Sequence, residues 1–237
     1  DRLPALDAAG FDTWEFRYPN DQGIDRSADL LAATWLKLPA DQPLVLVGHS
    51  MGGLVIRDFV TRWRHPVDVL PGIEGATVLG VILAGPPNQG SNWAQLRVLL
   101  ELRDQWATGR QSGFTPLGGL QDGTGAAKID LQPGSRFLTE LNARPWPQAV
   151  QMKIIGGVLT PSAPALGDGV VATNSLTIAG AAPPILVTAS HRGMLSRLFS
   201  ADAEPPAIPV IMTLLEELAA ANDIVRRSAG KAARQQQ

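Results

Sequence analysis

Cysteine is absent from the 237 residues and histidine occurs only three times. The missing cysteine excludes a disulfide scaffold, a cysteine nucleophile and any thiolate-bound metal. Three histidines with no close His/Asp/Glu cluster leave no histidine-rich metal site, and no cofactor is implied. Charge of one sign is lacking as well. Twenty basic against 22 acidic residues give a formal −2, too weak a field to draw nucleic acid or an anionic membrane. No apolar run reaches the ~18 residues of a transmembrane helix. What is present is a chain 45% hydrophobic and 18% charged, which suits one core-forming α/β domain over 1–237.

Short β-like runs alternate with amphipathic helical runs, the pattern of a mostly parallel, doubly wound sheet with helices on both faces. Gly10 to Tyr18 reads as a strand because aromatics recur at 14, 16 and 18. Ala28, Leu31, Ala32, Trp35 and Leu38 mark one buried face of a helix. Leu44-Val45-Leu46-Val47 is a continuous apolar run, as in a strand covered on both sides. A helix from about Met51 to Trp63 and a strand over Val78 to Ala84 follow. Between Ser91 and Pro147 the rhythm breaks, with six glycines from Gly109 to Gly125 and a short helix around Phe137, Leu138 and Leu141. The segment 91–147 reads as an excursion above the sheet. Strands over Val150 to Val158 and Ile185 to Thr188, then a helix with Ile211, Leu214, Leu215 and Leu218 on one face, complete the chain.

Chemistry enters at Gly48-His49-Ser50-Met51-Gly52-Gly53, between a buried strand and a helix. This is the G-x-S-x-G elbow in the context that gives it meaning. A sharp strand-to-helix turn strains the serine backbone, and small residues two before and two after it let the chains approach. Ser50 then projects above the strand's carboxyl end. The Met51 amide faces the same space at a helix N-terminus, where negative charge is favoured.

A serine hydroxyl needs a base, and the base needs a carboxylate to hold it. Of the histidines, His49 lies inside the elbow, where it packs beside the site and is a candidate substrate contact. His65 follows the elbow helix and reads as a helix-terminus residue. His191 lies just past the strand 185–188, where such a sheet delivers groups to its carboxyl-end crevice. Asp168, between Gly167 and Gly169, follows the strand 150–158 and precedes His191, in the chain order serine, acid, base. Asp122 and Asp130 share that order but fall in the excursion.

These motifs resemble the α/β-hydrolase superfamily, and within it bacterial lipases and esterases. Further likeness lies in Ala84-Gly85-Pro86-Pro87-Asn88-Gln89-Gly90-Ser91 and in Leu131-Gln132-Pro133-Gly134-Ser135-Arg136-Phe137-Leu138. The resemblance implies hydrolysis of a small-molecule or lipid carboxylic ester through an acyl-enzyme. It also implies that 91–147 caps an acyl pocket. Apolar residues of the excursion such as Trp93 and Leu96 suggest a hydrophobic lining and could equally be ordinary core, and Pro87 is a candidate substrate contact. One departure concerns the strand that precedes 10–18 in that fold, which carries an oxyanion loop and lies between 11–18 and 44–47. It has no counterpart in Asp1 to Ala9, which reads as helical. The expectation is therefore a chain truncated upstream, or an element supplied from elsewhere. With that start, cytoplasmic and secreted locations both fit, and the oligomeric state is open. The competing expectation is a catalytically inactive hydrolase fold that binds a hydrophobic ligand or a partner.

Overall fold

The runs richest in Val, Ile and Leu become the middle of a sheet. In this computed structural model, which describes residues 6, 9–19, 22–67, 72–91, 126–196 and 204–235 (side chains to 222), the sheet has four strands. They are β1 (Leu44–His49), β2 (Val78–Ala84), β3 (Gln151–Val158) and β4 (Ile185–Thr188), in the order β1-β2-β3-β4 and parallel at every pairing. β2 and β3 have a strand on each side, and their carboxyl halves are buried.

The helices are α1 (Ile24–Trp35), α2 (Met51–Asp58), α3 (Ala126–Asp130), α4 (Arg136–Ala143) and α5 (Ala207–Gln235). A π-helical stretch, Phe59–Arg64, extends α2 to His65 at its end. Alternation along the strands sorts side chains to two faces. Val81, Leu83 and Ile154 join Ile24, Trp35, Leu54 and Phe59 of the α1/α2 side, where the Trp35 and Phe59 rings lie 4.9 Å apart. Ile82, Ala84 and Ile155 join Ile211, Leu214, Leu215 and Leu218 of α5. Each of those four α5 side chains contributes about 1.5–3 kcal/mol by leaving water. Gly80 makes the fit possible, since a methyl there would stand 2.9 Å from Leu218 Cδ2.

Two sequence expectations require correction. Residues 11–19 form no strand. Phe16 and Tyr18 stack on each other at 5.4 Å and pack against the α1/α2 cluster, while Trp14 is 63% exposed. Alternating aromatics give a strand's period, but a strand exists only through hydrogen bonds to a neighbour, and among the described residues none pairs here. Nor is β1 covered on both faces, since none of Leu44 to Val47 is buried. It is the end strand of the sheet among the described residues, and Val47 is 43% exposed. Within 91–147, residues 126–147 carry α3 and α4, and the rest beyond Ser91 lies outside the described residues, Trp93 and Leu96 included.

Asp130 has a structural role. Its Oδ2 accepts from the Ile24 amide at 2.9 Å, capping α1 where Gly23 offers no side chain.

Candidate active site

β1 ends at His49 and α2 begins at Met51, so Ser50 alone makes the turn. Its φ is 55° and ψ −127°, and it is the one non-glycine residue with positive φ among those described. A residue held there stores about 1–3 kcal/mol of backbone strain. The turn is held by bonds on both sides: the Ser50 amide donates to the Ala84 carbonyl at 2.8 Å, and the Gly53 amide to the Ser50 carbonyl at 2.9 Å. Gly48 has to be glycine, since a methyl there would meet Ile56 Cδ1 at 2.7 Å and Gly52 backbone at 2.8 Å. The expectation that Gly52 is equally constrained does not hold. A methyl at 52 would meet only the Tyr18 hydroxyl, at 3.7 Å, whereas one at Gly53 would press on Pro86 Cβ at 3.1 Å. That Tyr18 phenol is pushed up to about 12 by burial and is neutral.

Asp168 and His191 meet at the carboxyl end of the sheet. Asp168 Oδ2 lies 2.7 Å from His191 Nδ1, and both side chains are buried. The other carboxylate oxygen accepts from the amides of Val170 (2.9 Å) and Val171 (2.8 Å). The turn that makes this possible needs its glycines. Gly167 has φ 66° and a methyl on it would lie 1.9 Å from the Val171 carbonyl oxygen; Gly169 has φ 90°. The His191 amide closes the loop by donating to the Asp168 carbonyl at 3.0 Å.

His191 belongs to the loop after β4, three strand spacings, about 14 Å, from β1 in the sheet. Two glycines let that loop lie back across the strand ends. A methyl at Gly157 of β3 would stand 2.8 Å from the Ala189 oxygen and 2.8 Å from Asp168 Cβ. One at Gly85, just past β2, would stand 3.2 Å from the His191 ring. The loop thus reaches the elbow. His49 Nε2 is 3.0 Å from the His191 carbonyl oxygen and the two rings are 4.7 Å apart. Ser50 Oγ and His191 Nε2, 8% and 3% exposed as residues, are both buried and have no hydrogen-bond partner among the described residues.

Staphylococcus hyicus lipase matches this structure with a TM-score of 0.60 at 13% identity, over 93% of this chain and 89% of its own. A metagenomic carboxyl esterase matches at 0.57 and 18% identity, over 85% and 60%. A Bacillus licheniformis lipase in mature form matches at 0.51 and 18%, over 84% and 77%. The chain has the α/β-hydrolase fold. It spans 60% of the length of the carboxyl esterase. No protein-family model matches the sequence, and neither does any curated protein.

Within this α/β-hydrolase fold the remaining candidates separate. Met51 opens α2, where the first amides of a helix have no acceptor inside it. Pro87 is buried in the turn closed by the Gly90 amide on its carbonyl, 2.9 Å. His49 touches the loop that carries His191. Asp130 caps α1, and Asp122 lies outside the described residues. A cavity of about 350 Å³ lined by Trp146, Gln148 and Met152 adjoins the start of β3, the end of the sheet opposite Ser50.

Sequence reasoning passed over a second layer. Arg57 of α2 is buried and donates to Asn88 Oδ1 (3.0 Å) and Asn142 Oδ1 (2.9 Å), while Asn88 Nδ2 donates to the Leu176 carbonyl at 2.6 Å. Burial, with Arg144 nearby, pulls the Arg57 guanidinium down to about 10, and Asp58 partly opposes this. The glycine doublet at 156–157 inside a strand was the available sign of close approach.

Proposed function

We propose that this chain is a serine carboxylic ester hydrolase, an esterase or lipase, acting through an acyl-enzyme. The observation that carries the reading is a pair of buried, unpartnered atoms at one end of the sheet. One is a hydroxyl oxygen on a strained turn, and the other is the free nitrogen of an imidazole already bonded to a carboxylate.

Because Nδ1 is engaged by Asp168, the His191 proton sits there and Nε2 presents a lone pair. As Ser50 Oγ bonds to the ester carbonyl carbon, its proton passes to Nε2. Asp168 keeps the ring oriented and offsets the charge that forms. The carbonyl oxygen, now negative, accepts from the Met51 amide at the start of α2. Collapse breaks the ester C–O bond, and Nε2 returns the proton to the leaving alcohol. Water then attacks the acyl-enzyme and gives one proton to Nε2; collapse breaks the Oγ–acyl bond, Nε2 returns that proton to Ser50 Oγ, and the acid leaves.

The test uses a short p-nitrophenyl ester and a fluorophosphonate that labels reactive serines. Ser50→Ala is expected to lose labelling and to drop to background turnover. Asp168→Asn, which keeps the volume, is expected to lose about 10⁴-fold in kcat. Turnover by Ser50→Ala within tenfold of the parent rejects the reading. An unlabelled Ser50 in folded parent protein points instead to the binding scaffold weighed from the sequence.

A further inference from the structure

His191 must reach the elbow from the opposite edge of the sheet, and its approach is secured at three points. Its amide donates to the Asp168 carbonyl at 3.0 Å and its Nδ1 meets Asp168 Oδ2 at 2.7 Å. Both of those bonds tie it to the acid turn. The third contact is of another kind, because it comes from the residue next to Ser50. His49 Nε2 lies 3.0 Å from the His191 carbonyl oxygen, and the two rings face each other at 4.7 Å and 35°. A carbonyl oxygen only accepts, so Nε2 of His49 carries the hydrogen and donates it.

We propose that His49 is a positioning residue: its Nε2–H bond to the His191 carbonyl and its ring contact hold the base in line with the Ser50 hydroxyl. The proposal rests on the Ser50–His191–Asp168 reading above and adds the link that joins its two halves. Neither Asp168 nor the glycines beneath the loop can supply that link. Asp168 bonds to His191 and to its own turn rather than to the elbow, and glycines only leave space. Without His49, the base loop keeps its acid and loses its registration on the nucleophile. The ring stays a neutral donor because burial and the neighbouring His191 push its own ionisation far below the ordinary histidine range.

The experiment compares the parent with His49→Phe and His49→Gln, with Ser50→Ala as the control for the underlying reading. Phenylalanine keeps a ring against His191 but removes the donor. Glutamine restores an N–H near the Nε2 position. Measured are kcat and KM on p-nitrophenyl butyrate, the rate of fluorophosphonate labelling, and the melting temperature. Expected for His49→Phe is a loss of about 10- to 100-fold in kcat, the scale of a sub-ångström to 1 Å misplacement, with KM within threefold. Labelling is expected to slow by the same factor, and His49→Gln to regain most of the loss. A labelling rate unchanged in folded His49→Phe overturns the proposal, as does an effect confined to KM, which would make His49 a substrate contact. If His49→Phe fails to fold, His49→Gln decides: a loss as large as that of a non-donating His49→Leu overturns the proposal, and near-parent kcat beside a slowed Leu variant upholds it. Activity retained in Ser50→Ala, by contrast, removes the mechanism itself and leaves His49 without a base to position.

Discussion

A single imidazole ties stability to acidity. Burial, then the neighbouring His191, lowers His49 to about 3, whereas in an unfolded chain it titrates near 6.5. Between those values the unfolded chain binds a proton that the folded one refuses. The stability this group contributes is therefore whole above pH 6.5 and is lost as pH falls through that window. The melting temperature is expected to fall from pH 6.5 to pH 4, and to fall less in His49→Gln, which has nothing to titrate at that position. Parallel declines in a series of melts at half-unit pH steps would contradict this. At this scale the sequence was informative about residue types with few alternatives. Zero cysteines and three histidines leave a short list of candidate bases. Which atom bonds to which was not legible: the contact of His49 with a carbonyl 142 positions away depends on the whole loop path.

Elements were legible where local pattern and tertiary pairing agree. The runs at 78–84 and 185–188 became strands with those bounds, and Phe137, Leu138 and Leu141 fall in α4. The helix expected over 51–63 continues as a π-helix from Phe59, a change of winding that no periodicity argument separates from an ordinary helix. The stretch 10–18 failed because its alternation is satisfied by stacking rather than by a neighbouring strand. At the end of β3, Gly157 allows the crossing loop to lie flat. Gly157→Ala is expected to lower stability by about 1–3 kcal/mol, as overpacking does, and to lower kcat, because the displaced atoms are the Ala189 carbonyl and the Asp168 Cβ. Urea denaturation and ester kinetics on the same sample check both. A variant indistinguishable from the parent in each would mean the loop rides higher than described.

Across the molecule, a buried charge cluster joins parts distant in sequence. Asp58, fully buried at the end of α2, pairs with Arg62 at 2.6 Å and with Arg144 just past α4. Arg57 beside it holds Asn88 and Asn142, so the elbow helix, the turn after β2 and α4 form one body. Removing the carboxylate strands its cations, which costs about 3–5 kcal/mol when both partners are buried. Since Arg62 and Arg144 retain 29% and 26% exposure, the lower end, about 3 kcal/mol, is expected for Asp58→Ala by urea unfolding. A change under about 1 kcal/mol would show that water already screens the cluster. Charge counts alone do not reveal it, because near-neutral totals conceal where opposite signs gather.

The crossing loop has a last consequence. Ser50 hangs from one margin of the sheet, while His191 hangs from the other, past a four-residue strand that pairs on one side only among the described residues. Such a marginal strand frays sooner than the interior ones. Warming should therefore uncouple the two groups while the core is still closed, making turnover a more sensitive thermometer of the fold than any probe of its interior.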